Sequence, residues 1–300
     1  MKKNKYFFVL CMLLSLMLAG GIFTTVYVKQ EDKKLEGEGL QIVTSFYPMY
    51  IAAENIVGSN KKVSLENLSE PQTGCLHDYQ LTPQDMILLS KADVFIVNGG
   101  GIESFLEDVA KAYPNLSIIE ATKGLDLIED NAHGWMDTDL YHEMVTNIAV
   151  GLGNADKENK DCYQKNAREY GEKILKLSSQ IKELKEVLSG QDVIIFHEAY
   201  EYVARQYGMN VTYCLDLDEE RQVSAGEVAD VMAQIEEHGI NVILAEELYG
   251  KSMGDTVQLE SECQVHYLDS LVRGVYEKDS YLKAMQKNIT IMKEIAGKDE

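Results

Sequence analysis

The sequence predicts an α/β fold of two lobes, each a parallel sheet flanked by helices, joined by one long rigid helix. Three observations carry that reading. Eight short apolar runs fall into two sets of four. Helix signals separate the runs within each set, the alternation expected of parallel strand-helix-strand units. Between the sets, one apolar stripe runs at helical spacing from Tyr163 to Leu188. A chain of 300 residues has room for about two domains of ~100–200 residues.

Taken in order, residues 1–28 read as a signal or membrane anchor. Lys2, Lys3 and Lys5 precede 23 uncharged residues, Tyr6 to Val28. That stretch is long enough to span a bilayer at ~20 residues per crossing, whereas a cleaved signal has a shorter apolar core. Ala19-Gly20-Gly21 offers a cleavage site, so secretion after cleavage is the alternative. The Cys that a lipoprotein needs after Leu18-Ala19-Gly20 is absent, since Gly21 stands there. Either way the body is exported. Residues 29–39, charged and glycine-containing, read as a tether.

The first lobe, residues 40–155, holds the runs Leu40-Thr44, Val63-Leu68, Val94-Asn98 and Ser117-Glu120. The second, residues 190–300, holds Asp192-Phe196, Asn210-Cys214, Val242-Ala245 and Gln264-Leu268. The runs are continuous rather than alternating, as for strands covered on both faces. Thr82-Pro83-Gln84-Asp85 begins a helix with an N-cap, a proline at the first helical position and an acid in the first turn. Ser224 and Glu227 form a capping box for a helix that stops at His238-Gly239. The connecting helix covers residues 156–189. Tyr163, Ala167, Tyr170, Ile174, Leu177, Ile181, Leu184 and Leu188 alternate steps of four and three. A coiled-coil seam has that spacing, and so does one helix laying its stripe along two lobes. Such a helix would be about 50 Å long at 1.5 Å per residue.

Charge narrows the function. The chain holds 28 basic and 49 acidic residues, a net charge of −21. Its first thirty residues hold four lysines and no acid, so the remainder, with 24 basic and 49 acidic residues, carries −25. Nucleic-acid binding needs concentrated positive charge and is excluded as a reading. Outside the apolar run lie Cys75, Cys162, Cys214 and Cys263, with no C-x-x-C pair to make a thiolate zinc knuckle. Cys214 with Cys263 is one candidate disulfide, and free buried thiols are the other reading.

In open parallel sheets, ligands bind beyond the carboxyl ends of the strands. His197 follows Val193-Phe196, Asp269 follows Val265-Leu268, and Glu246 and Glu247 follow Val242-Ala245. His77 and His133 lie in loops after the second and fourth runs. Three imidazoles and a carboxylate suit a tetrahedral zinc site. The remaining histidines read as structural: His238 in a last helical turn, His142 on an exposed helix face, His266 in mid-strand.

From about Leu40 onward the chain resembles the ZnuA/TroA-like substrate-binding proteins of zinc and manganese ABC transporters. The likeness rests on IVTSFYPMY (42–50), HDYQLTPQD (77–85), LSKADVFIVNGGGIESFL (89–106), HGWMD (133–137), FHEAYEYVARQYG (196–208) and YLDS (267–270). The resemblance implies metal ligands at His77, His133, His197 and Asp269, with Trp135 beside the second. It implies Zn²⁺ as the transported ligand, with Mn²⁺ the alternative, because manganese-type members usually carry Glu at the place of His197. The partner implied is an ABC transporter permease, the chain itself being a monomer, and only small closure of the lobes is expected. Two features depart from the family pattern. The interval from His77 to His133 has no further His, and HGWMD lacks the Pro often found before its His. Glu246 and Glu247 are candidates to orient a ligating His from behind, and Cys75 lies close in sequence to His77.

The leading reading is therefore a binding protein and not an enzyme. It would hold a divalent metal between its lobes on the extracellular side of the membrane and deliver it to the permease. An extracellular zinc hydrolase is the reading from another class, but no H-E-x-x-H is present: Glu201 stands where the second His would be. A metal-stabilised adhesin is the third.

Overall fold

The computed structural model describes residues 39–69, 76–77, 79–217 and 221–298. The expected anchor, nearly all of the tether and Cys75 lie outside the described residues. Among those described, no helix is long and apolar enough to cross a membrane.

Each of the eight apolar runs forms a strand. β1 (Leu40–Thr44), β2 (Val63–Asn67), β3 (Val94–Val97) and β4 (Ser117–Glu120) make one parallel sheet in the order β2-β1-β3-β4. β5 (Asp192–Ile195), β6 (Asn210–Cys214), β7 (Val242–Ala245) and β8 (Gln264–Tyr267) make a second in the order β6-β5-β7-β8. The two lobes thus repeat one topology. Burial on both faces holds for the inner strands: β3 and β7 are buried throughout, while the edge strand β2 stays half exposed.

Helices cover the sheets: α1 (Tyr47–Val57), α2 (Pro83–Ser90), α3 (Leu106–Ala112), α4 (Thr138–Ala155), α5 (Lys160–Leu188), α6 (Tyr200–Tyr207), α7 (Ala225–His238), α8 (Glu247–Glu260) and α9 (Ser280–Ile295). The expected capping box of Ser224 with Glu227 forms, and the expected N-cap at Thr82 proves to be a capping box as well, with Asp85. Gly239 ends α7 in the left-handed region at φ 63°, where a side chain would be strained.

The connecting helix starts at Lys160, four residues later than the expected 156. α4 runs to Ala155, and the Asp156 carboxylate then accepts bonds from Asn159 Nδ2 at 2.7 Å and Tyr163 Oη at 2.8 Å. That knot breaks the chain direction before Lys160. The resulting α5 is about 44 Å long at 1.5 Å per residue. All eight stripe residues are buried, against α1, α4, α6 and α9. The stripe serves one intramolecular core, not a seam for a second chain. That core runs without interruption from Ile42 in the first sheet through Trp135 and Ile174 to Val193 and Leu244 in the second.

Two local expectations are corrected. Cys214 and Cys263 are both free thiols. Cys214 ends β6 and Cys263 precedes β8, on opposite edges of a sheet whose strands are ~4.8 Å apart, far beyond the reach of a disulfide. His142 is not on an open face. It is half-buried with its ring against Gly171 of α5, where a Cβ would meet His142 Cδ2 at 2.7 Å.

The crevice beyond the first sheet is filled by a carboxylate. Gly99, Gly100 and Gly101 all have positive φ, at 82°, 67° and 96°. This turn brings Glu103 back under the ends of β1 and β3. Glu103 accepts from Ser45 Oγ at 2.8 Å, Asn98 N at 2.7 Å and Gly99 N at 3.0 Å. It is 4% exposed. Burial outweighs those three donors and pushes its carboxyl from 4.5 up to about 7. The folded state therefore holds this proton more tightly than the unfolded chain. Its destabilising effect is complete above about pH 7 and is relieved as pH falls toward 4.5. Urea unfolding of wild type and Glu103→Gln is expected to show a stability difference that changes by about 2–3 kcal/mol between pH 8 and pH 5. Parallel pH profiles would contradict it.

Candidate metal centre

The strand order reverses between β5 and β7, and there the second lobe presents its donors. Phe196 continues β5, and His197 follows, fully buried. Glu246 leaves the end of β7 and is also buried, its Oε2 3.6 Å from His197 Nδ1. Arg273 holds the other oxygen of Glu246 at 2.9 Å. The two neighbouring acids therefore differ: Glu246 faces His197, whereas Glu247 begins α8 and is exposed.

The first lobe supplies His77, half-buried in the loop after β2, and His133, fully buried in the loop after β4. His133 begins a short 3-10 turn, Gly134–Met136. Its Nε2 lies 3.3 Å from His77 Nε2. Its ring stands edge-on to His197 with centroids 5.0 Å apart. Burial first, then the nearby His197 and His77, hold the His133 pKa well below its ordinary 6.5. His133 is thus neutral at pH 7 and keeps a nitrogen lone pair. Trp135 forms the wall of the site, 4.9 Å from the His133 ring and 5.0 Å from Phe46. Its Nε1 donates to Ser270 O at 3.0 Å, joining the first lobe to the residue after Asp269.

Asp269 emerges from β8. Asn288 of α9 clamps its main chain with two bonds of 2.8 Å, and its Oδ1 accepts from Leu271 N at 2.8 Å. Burial, with the Glu246 charge adding to it, raises its carboxyl pKa above its ordinary value. With Glu246, Arg273 and Lys287 it lines a cleft of about 650 Å³ that opens beside the site.

Sequence reasoning missed Glu198. Its Oε1 lies 3.3 Å from His133 Nδ1 and 3.7 Å from His77 Nε2. His77, His133 and Glu198 each offer a ligand atom within 4.8 Å of the others, a span one metal ion can bridge. Among the described residues, His197 and Asp269 stand outside that trio. The available signal was the His-Glu pair at a strand end. Glu198 points back toward the first lobe because the chain turns at once into α6, with Tyr200 N bonded to His197 O at 3.0 Å. His238 is exposed, and His266 sits half-buried in β8, where burial lowers its pKa.

The chain as a whole is similar to known proteins. The chain is similar to the high-affinity zinc uptake system protein ZnuA of Bacillus subtilis, 26% identical over 285 residues that cover 86% of this chain and 88% of that protein. It is similar to the manganese-binding lipoprotein MntA of Halalkalibacterium halodurans, 25% identical over 301 residues, covering 96% and 97%. Among solved structures, the SBP FpvC of Pseudomonas aeruginosa in complex with Mn²⁺ matches with a TM-score of 0.76 at 25% identity, covering 86% of this chain and 99% of that one. A profile described as "Zinc-uptake complex component A periplasmic" (ZnuA) matches residues 42–295. The chain belongs to that family of metal-binding substrate-binding proteins, which are binding proteins and not enzymes.

Proposed function

We propose that this chain captures Zn²⁺ between its lobes on the outer side of the membrane and delivers it to an ABC transporter permease. His77, His133, His197 and Asp269 are the ligands proposed, with Trp135 shaping the site and Glu246 orienting His197. The observation that carries the reading is the 3.3 Å separation of the His77 and His133 Nε2 atoms. Two nitrogens bound to one tetrahedral zinc at ~2.0–2.1 Å lie about 3.4 Å apart. Convergence of donors from both lobes lets the metal stabilise one lobe arrangement over others. The relative named a lipoprotein supports a place at the membrane surface.

A manganese reading is favoured by one observation, the Glu198 carboxylate facing both imidazoles. Oxygen donors suit Mn²⁺, whereas a set of three imidazoles suits zinc. The full-length chain, stripped with chelator, decides between them by its melting temperature as Zn²⁺, Mn²⁺ or Fe²⁺ is added, with His197→Ala as control. Zinc is expected to give the largest rise, and His197→Ala to lose it. A larger rise with manganese would overturn the metal, and no rise with any metal would overturn capture.

A further inference from the structure

Asn131 lies two residues before His133 and is 4% exposed. Its side chain uses both ends. Oδ1 accepts from the His133 main-chain N at 3.1 Å and faces His133 Nδ1 at 2.9 Å. Nδ2 donates to the Glu198 carbonyl and to Glu201 Oε2, both at 2.9 Å. The Asn131 carbonyl accepts from Tyr202 Oη at 2.6 Å. One residue of the first lobe thus grips His133 and three residues of the second, Glu198 just before α6 and Glu201 and Tyr202 in its first turn.

The orientation of this amide is determined by its partners. Reversing it would set NH₂ against the His133 main-chain N–H and set oxygen against the Glu198 carbonyl and the Glu201 carboxylate. With the oxygen facing Nδ1, that nitrogen must carry the hydrogen. Nε2 is then the bare nitrogen, and it is Nε2 that faces His77. Glu198 Oε1 also approaches Nδ1, at 3.3 Å, but the amide oxygen is the closer acceptor.

We propose that Asn131 is a positioning residue that fixes the tautomer of His133 for metal binding and ties that histidine to the second lobe. The proposal rests on the metal-capture reading and adds to it a coupling between ligand orientation and lobe contact. A metal-bound imidazole whose second nitrogen is held by an acceptor is oriented and more basic.

The test compares Asn131→Asp, which keeps the acceptor and loses the amide donors, with Asn131→Ala, which loses both. Long-range ¹H–¹⁵N NMR of the metal-free full-length protein reads the His133 tautomer, chelator competition reads zinc affinity, and thermal melting reads stability. Wild type and Asn131→Asp are expected to carry the hydrogen on Nδ1, and Asn131→Ala to show a mixture. Zinc affinity is expected to stay within about threefold in Asn131→Asp and to fall about 10–100-fold in Asn131→Ala. Asn131→Asp is expected to melt lower all the same, because its charge faces Glu201. A hydrogen on His133 Nε2 in wild type would overturn the proposal. So would wild-type zinc affinity in Asn131→Ala, or losses in both variants that merely follow their melting temperatures. If wild type keeps the Nδ1 hydrogen but binds no metal, the capture reading fails and takes with it the metal-binding role of Asn131.

Discussion

Ile174→Asp is expected to unfold both lobes together. Ile174 is fully buried midway along α5, in the core that continues from the first sheet to the second. Truncating a buried isoleucine costs about 2–5 kcal/mol. An unpaired buried carboxylate adds several kcal/mol more or takes up a proton. The sum is a large part of the ~5–15 kcal/mol by which a domain is stable. Leu175→Asp, one position along, provides the contrast. Leu175 is 41% exposed, and a surface change of this kind moves stability by about 0.5 kcal/mol or less. Urea denaturation followed by circular dichroism should therefore show a collapsed midpoint for the first variant and a nearly unchanged one for the second. Similar midpoints would show that the stripe does not hold the lobes together. A variant in which only one lobe melts would show that the core is divided.

His133→Ala is the variant expected to cost the most metal binding. The side chain is fully buried, neutral at pH 7, and directs Nε2 at His77 while its ring meets His197. His133 thus meets both of the other imidazoles proposed as ligands. Metal binding to the native state alone stabilises by about 4 kcal/mol when free metal is 1,000 times Kd. More than half of that zinc-dependent gain is expected to vanish in His133→Ala. His142→Ala, whose histidine packs against Gly171 away from the site, should keep it. Melting curves with and without zinc measure both. An undiminished zinc shift in His133→Ala would remove this histidine from the site.

Much of the fold was legible because the local signals agreed with the tertiary structure. The buried strands β3 and β7 are unbroken apolar runs, and the capping boxes at Thr82 and Ser224 mark helix starts through bonds made within four residues. What was not legible depended on partners distant in sequence. The alternation from Tyr163 to Leu188 showed a buried face, but the knot that delays α5 is made by the Asp156 side chain. The Cys214–Cys263 pairing failed because strand order places them on opposite edges, and no local pattern reports strand order. The packing of His142 had one sign, a glycine at position 171 within a long helix. At the site, strand ends pointed to His197 and Asp269, and the family resemblance named all four proposed ligands. The approach of Glu198 was hidden, because only the sharp turn into α6 aims its carboxylate across the lobe junction. Asn131 was invisible for the same reason: its role lies in which atoms it joins.

The central claim is that imidazoles from both lobes meet on one metal ion. Zinc-edge X-ray absorption of the full-length protein, loaded with one equivalent of Zn²⁺, tests it most directly. The account predicts nitrogen and oxygen donors at about 2.0–2.1 Å with the outer-shell scattering of three imidazoles, reduced by one imidazole in each of His133→Ala and His197→Ala. A sulfur shell at about 2.3 Å, or a spectrum that neither variant alters, would contradict it.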